Sequence, residues 1–140
     1  METFYVYTDG ASRGNPGPSA AGFVLLDNAG NILEKCGKLL GKQTNNYAEY
    51  FAVQLALEKG KEIFDTPEAV KLVFKMDSEL AVKQLRGEYL VKNAVLAEFF
   101  HKIKALEVSF AGVEYTHIPR AQNKEADKLV NQLLDHKWQN

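Results

Sequence analysis

At 140 residues the chain is long enough to bury a substantial core, and by length it is read as a single domain, 1–140. Its 46% hydrophobic and 25% charged residues are the balance of an ordinary globular protein, which excludes a disordered or fibrous chain. A net charge of −1 argues against a strongly basic nucleic-acid binder, although local distribution matters more than the sum, and the single cysteine, Cys36, excludes an internal disulfide.

The apolar run Phe4–Tyr7 reads as a buried strand that stops at Asp9. A carboxylate at the end of a buried strand is costly unless something compensates it. The glycines and prolines between Gly10 and Pro18 form a rigid turn. Ala20–Leu26 and Ile32–Leu40 read as second and third strands around the turn cluster Asp27–Asn31, and so short a connection makes them antiparallel neighbours. The opening is therefore a three-stranded meander, with Cys36 a strand residue.

Thr44, Asn45 and Asn46 offer side-chain oxygens at a helix start. Ala48, Phe51, Ala52 and Leu55 recur on one apolar face, Glu49 falls in the first turn off that stripe, and Gly60 is expected to weaken or end the helix. Val70–Met76 alternates as a fourth strand that ends in Asp77–Ser78; a right-handed crossover makes it parallel to the first. A short helix covers about 79–85 and breaks at Arg86–Gly87–Glu88. Leu96, Phe99, Phe100 and Ile103 mark the next helix, and Gly112–Ile118 is a fifth strand closed by Pro119. Ala126, Leu129, Val130 and Leu133 define a final helix, with Asn123 near its start and Asp127 in its first turns. The tail from His136 is read as frayed, with Trp138 a packing residue. A meander followed by alternating helices and strands is α/β with a mixed sheet.

There is no basic segment followed by an apolar signal region and no run long enough to span a bilayer. With one cysteine, a cytoplasmic, reducing location is the expectation, and a monomer is the default for this size.

Four carboxylates occupy equivalent places. Asp9 and Asp77 end two strands, which stand about 4.8 Å apart if adjacent and parallel. Glu49 and Asp127 lie near helix starts. Ligands of open α/β sheets bind at strand carboxyl ends, and two like charges about 4 Å apart repel by roughly 4 kcal/mol at an effective dielectric near 20. Hard divalent cations such as Mg²⁺ would remove that repulsion. Taken singly, each residue is equally readable as a turn, a cap or a group favouring a helix N-terminus, so the spacing alone leaves a metal site open.

The motifs are more specific in combination. Tyr7-Thr8-Asp9-Gly10-Ala11 with Gly14-Asn15-Pro16-Gly17-Pro18, then Thr44-Asn45-Asn46-Tyr47-Ala48-Glu49, Asp77-Ser78 and Asn123-Lys124-Glu125-Ala126-Asp127, resemble in order the four signatures of the type 1 ribonuclease H family. The resemblance implies a ribonuclease H-like fold: a five-stranded mixed sheet, three antiparallel strands plus two parallel ones, flanked by helices. It implies cleavage of the RNA strand of an RNA–DNA hybrid with two Mg²⁺ ions, for which Mn²⁺ can substitute, leaving 3′-hydroxyl and 5′-phosphate ends. Asp9, Glu49, Asp77 and Asp127 would hold the metals, with Asp9 bridging them. The backbone from Asp9 to Ser12, Gly10 included, would sense 2′-hydroxyls. Asn15, Asn45 and Asn46 resemble the family's groove-contacting amides, and Thr44 its DNA-phosphate contact.

Three departures stand out. Relatives with a mobile histidine loop suggest His117, but Tyr115–Arg120 looks like a strand end with a shortened loop, in which Arg120 takes the nearby site. Gly87–Asn93 is too short for the family's basic protrusion, which leaves diffuse charge from Lys83, Arg86, Lys92, Lys102 and Lys104. Glu79 replaces a glutamine that follows the third acidic residue. A non-catalytic nucleic-acid-binding module and a metal-dependent phosphatase are the competing readings. Double-stranded RNA is left open as a second substrate.

Overall fold

The computed structural model describes the backbone of residues 1–139 and side chains through His136, so the packing role expected of Trp138 lies outside the described residues. The elements are β1 (Glu2–Ser12), β2 (Gly17–Leu26), β3 (Ile32–Gln43), α1 (Asn45–Ile63), β4 (Val70–Met76), α2 (Glu79–Leu85), α3 (Ala94–Glu107), β5 (Gly112–His117) and α4 (Lys124–Gln139). They build a five-stranded sheet in the order β3-β2-β1-β4-β5. The first three strands pair antiparallel, and β4 and β5 add parallel strands beside β1. This is the mixed sheet expected above.

One face of the sheet carries the main core. Phe4, Val6, Phe23, Leu25, Leu72 and Phe74 bury against Tyr50, Val53 and Leu57 of α1, together with Leu85, Phe99 and Ile103. On the other face α4 presses Val130 and Leu134 onto Ala20. Each fully buried side chain of this size contributes roughly 1.5–3 kcal/mol, which is what seats the helices.

Four local expectations change. β1 does not stop at Asp9: it pairs with β2 through Ser12↔Ser19, whereas its parallel pairing with β4 ends at Thr8↔Met76. The hairpin satisfies the backbone of residues 9–12 after β4 has left, so Asp9 marks a fork in the sheet rather than a strand end. The buried face of α1 is Ala48, Tyr50, Ala52, Val53, Ala56, Leu57 and Gly60. Phe51 sits beside it, its ring 6.3 Å from that of Phe99, because α1 packs on α3 as well as on the sheet. Gly60 does not end α1; it lies where an added Cβ would be 3.1 Å from the Phe110 ring. Finally, the tail expected to fray from His136 continues α4 to Gln139. Among the described residues no helix is long and apolar enough to cross a membrane.

Candidate active site

The fork at Asp9 is where the carboxylates meet. Gly10 follows it, and a Cβ there would lie 2.3 Å from the Ala48 carbonyl carbon and 2.4 Å from the Glu49 amide nitrogen. Only a glycine lets α1 rest on β1 this closely, and the contact places Glu49 beside Asp9. Thr44 caps α1, its Oγ1 accepting from the Tyr47 amide at 3.1 Å. That start puts Glu49 in the second turn rather than the first, since Asn45 and Asn46 are already helical.

Asp77 follows the last residue of β4, and Ser78 caps α2 through a 3.2 Å bond from the Ala81 amide to its Oγ. Asp127 comes from α4 and is partly exposed. Its Oδ1 accepts from Arg120 Nη2 at 3.3 Å and from Asn131 Nδ2 at 3.1 Å. Asp9, Glu49 and Asp77 line one narrow recess with Thr8, Met76 and Ser78.

The electrostatics register the convergence. Burial pushes the Asp9 carboxyl up to about 8, and the charges of Asp77, Asp127 and Glu49 push in the same direction. Burial raises Glu49 to about 7, opposed by a hydrogen bond from Ser78 and assisted by Asp77. All four donors are carboxylate oxygens, the chemistry of a hard cation. Among the described residues no three such side chains already stand in ligating positions. Asp77 is engaged by Asn123, and Asp127 by Arg120 and Asn131, so side-chain rotation has to complete a ligand set.

The family described as reverse transcriptase-like matches residues 7–133. Ribonuclease HI of Halobacterium salinarum is 41% identical over 132 residues, covering 94% of this chain and 64% of that protein's length. The structure of LC11-RNase H1, isolated from compost by a metagenomic approach, superposes with a TM-score of 0.93 at 40% identity over 99% of both chains. LC11-RNase H1 in complex with an RNA/DNA hybrid superposes at 0.92, again at 40% identity, over 96% of this chain and 99% of the other. The chain belongs to the type 1 ribonuclease H family.

Other residues that resemble family substrate contacts fall into two groups. Asn15, Asn45 and Ser12 form a connected edge: the Ser12 amide donates to Asn45 Oδ1 at 2.8 Å, and the Asn45 amide to Asn15 Oδ1 at 3.1 Å. Both side-chain oxygens are thus occupied within the protein, which leaves the Nδ2 groups as donors on an accessible edge. Thr44 and Asn46 are exposed beside them at the start of α1. Across the fork, Arg120 reaches Asp127, whereas His117 ends β5 opposite Met76 and lies near Glu79, whose carboxyl is held down first by its bond to Lys83 and less by His117. His117 is therefore a strand-end residue next to α2, and Arg120 is the one that touches a carboxylate.

Glu79 and most of the basic residues around the site take partners within the chain. Glu79 is an α2 first-turn residue paired to Lys83 at 2.9 Å. Arg86 donates to the Tyr115 carbonyl at 2.8 Å, and Lys104 pairs with Glu107 at 3.1 Å. Three of the five basic residues expected to supply diffuse positive charge are therefore engaged within the chain, while Lys92 and Lys102 remain exposed. Sequence reasoning misses Asn123 and Asn131 as residues of the site. An asparagine before a helix reads as a cap, and nothing in the sequence reports that its side chain is buried. Asn131 did have a signal: it lies four residues after Asp127, on the same helical face.

Proposed function

We propose that this chain is a divalent-metal-dependent ribonuclease H that hydrolyses the RNA strand of an RNA–DNA hybrid, leaving 3′-hydroxyl and 5′-phosphate ends. The observation that carries the reading is the convergence of Asp9, Glu49, Asp77 and Asp127 on one fork of the sheet, with Asp9 pushed up to about 8. The resemblance to an RNase H1 that has been seen with an RNA/DNA hybrid supports the choice of substrate.

Asp9, Glu49, Asp77 and Asp127 would hold the ions, with Asp9 central to the set because the charges of the other three all act on it. When bound, two Mg²⁺-type ions supply activation of the attacking water and neutralisation of charge on the leaving oxygen. The protein holds the four oxygen donors on three rigid elements and through the cap at Ser78. The backbone at Gly10 and Ser12 would meet the 2′-hydroxyl, the group that separates RNA from DNA, with the Ser12 amide held by Asn45 and its carbonyl left to make that contact. The Nδ2 groups of Asn15 and Asn45 match the acceptor atoms that every base pair shows in the minor groove, so recognition through them is independent of sequence. Asn46, exposed beside them, is the third groove-contacting amide, and exposed Thr44 is the contact to a DNA phosphate. Arg120 lies at the rim, placed to meet a backbone phosphate.

The shape of the site favours a polymer. Asp9, Glu49 and Asp77 line a narrow recess, whereas small-molecule sites enclose most of their ligand. Wider concavities lie elsewhere, one around Arg86, Lys104 and Tyr115 and one around Tyr7, Leu26 and Gln122. This argues against a phosphatase for small metabolites. A purely binding role would leave four mutually repelling carboxylates without a use.

The test is cleavage of a labelled RNA–DNA hybrid beside RNA–RNA and DNA–DNA duplexes, in Mg²⁺, Mn²⁺ and EDTA. Metal-dependent cutting of the hybrid's RNA strand is expected, and the RNA–RNA lane sets the breadth of the activity. Intact hybrid in every metal condition, from folded protein, would move the function to a binding module.

A further inference from the structure

Asn123 is fully buried, and its side chain reaches two of the elements that carry carboxylates. Its Nδ2 donates to the carbonyl of Thr8, the residue before Asp9, at 2.8 Å. The same nitrogen donates to Asp77 Oδ2 at 3.0 Å. Its backbone carbonyl accepts from the Asp127 amide at 3.1 Å in the first turn of α4. One residue therefore connects β1 at Asp9, β4 at Asp77 and α4 at Asp127.

The orientation of the amide follows from its partners. Both are acceptors, so the NH₂ group has to face them and Oδ1 has to face away. Oδ1 is then a buried acceptor with no partner among the described residues. A buried polar atom without a partner is costly, so capping α4 does not account for this arrangement. A cap uses the side-chain oxygen as an acceptor for helix amides; here the oxygen is idle and the nitrogen carries the contacts.

We infer that Asn123 is a positioning residue for the metal ligands: it holds Asp77 at a fixed distance from the β1 fork and ties both to the start of α4. The inference rests on the two-metal reading above. The bond to Asp77 Oδ2 leaves Oδ1 of that carboxylate for a cation, and a neutral donor orients the ligand without competing for its charge. Groups that orient metal ligands in this way typically change metal affinity or activity by about 10–100-fold when removed.

The experiment is a Mn²⁺ titration without substrate, followed by the electron paramagnetic resonance signal of free Mn²⁺, on the unsubstituted protein, Asn123→Ala and Asn123→Ser, with folding checked by circular dichroism. Serine keeps a capping hydroxyl but cannot reach both Thr8 and Asp77. The inference predicts Mn²⁺ affinity about tenfold weaker in both variants, with hybrid cleavage partly recovered at high metal. Affinity equal to the unsubstituted protein in either folded variant would overturn it. So would recovery by serine alone, which would make Asn123 a cap. No Mn²⁺ binding by the unsubstituted protein would instead overturn the two-metal reading, and this inference with it. Should both variants unfold, the side-chain amide of Asn123 in the unsubstituted protein decides by NMR. Protons protected from solvent exchange that shift when Mg²⁺ is added support the role; freely exchanging protons unmoved by Mg²⁺ contradict it.

Discussion

Gly10 of β1 rests directly on the Ala48 carbonyl of α1, with 2.3 Å between that carbon and the point where any other residue would place its Cβ. The neighbours it would strike are backbone atoms, which cannot rotate away. Gly10→Ala therefore has to push α1 off the sheet and carry Glu49 away from Asp9. The expected outcome is a loss of about 1–3 kcal/mol in stability by overpacking, with hybrid cleavage falling much further than stability. Urea denaturation and a cleavage assay on the same preparation check it; an active variant of unchanged stability would show that the contact yields.

The carboxylates make stability depend on pH in a definite direction. Asp9 is raised from 3.8 to about 8, and Glu49 from 4.5 to about 7. Between those values the folded chain retains protons that the unfolded chain has released, so folding stability falls as pH rises through that window. Cations favour the ionised carboxylates and oppose the fall. Melting in EDTA is expected to drop from pH 5 to pH 8, and the gap between Mg²⁺ and EDTA is expected to widen over the same range. At 100 times its Kd a bound ion stabilises by about 2.7 kcal/mol. A gap independent of pH would contradict the raised values.

Arg120 and His117 are separable by substitution. Arg120 is largely exposed, so its ion pair with Asp127 is worth about 0–1 kcal/mol to folding. Arg120→Ala is expected to leave the melting temperature almost unchanged and lower kcat/KM by about tenfold through a lost charge-assisted contact. His117→Ala, near Glu79, is expected to change kcat/KM by less than about twofold, the scale of a weak surface contact. Steady-state kinetics on the two variants decide between them.

Phe74 tests the seat of β4. It is fully buried two residues before Met76, with its ring 5.2 Å from that of Tyr115. Phe74→Ala is expected to cost about 3–5 kcal/mol, read from urea denaturation, because it empties the volume of a fully buried ring in the main core.

Most of the fold was legible because the sheet is built from strands with clear apolar runs and short connections. The meander followed from short connections and the place of the fourth strand beside the first from the handedness of crossovers, whereas the two-parallel-strand sheet with the fifth strand came from the family resemblance. The misread positions have physical reasons. β1 looked finished at Asp9 because its apolar run ends there, yet backbone pairing with β2 continues through Gly10, Ala11 and Ser12 without needing large side chains. The face of α1 was shifted because the helix packs on two partners, and Phe51 serves α3 rather than the sheet. The four acidic positions were legible as a set. Their governors were not: Asn123 looked like a helix cap, and only the fold shows its nitrogen aimed at Thr8 and Asp77.

The central claim, that the Asp9 cluster holds the ions for hybrid cleavage, is tested most directly by Asp9→Asn, which keeps shape and removes a charge. Cleavage of a labelled RNA–DNA hybrid in Mg²⁺ would be measured beside the unsubstituted protein, with the melting temperature of each in EDTA. The account predicts a rate lower by about three orders of magnitude, roughly 4 kcal/mol of barrier, in a protein at least as stable above pH 8, where Asp9 is ionised and the variant lacks its repelling charge. Undiminished cleavage by Asp9→Asn would contradict it.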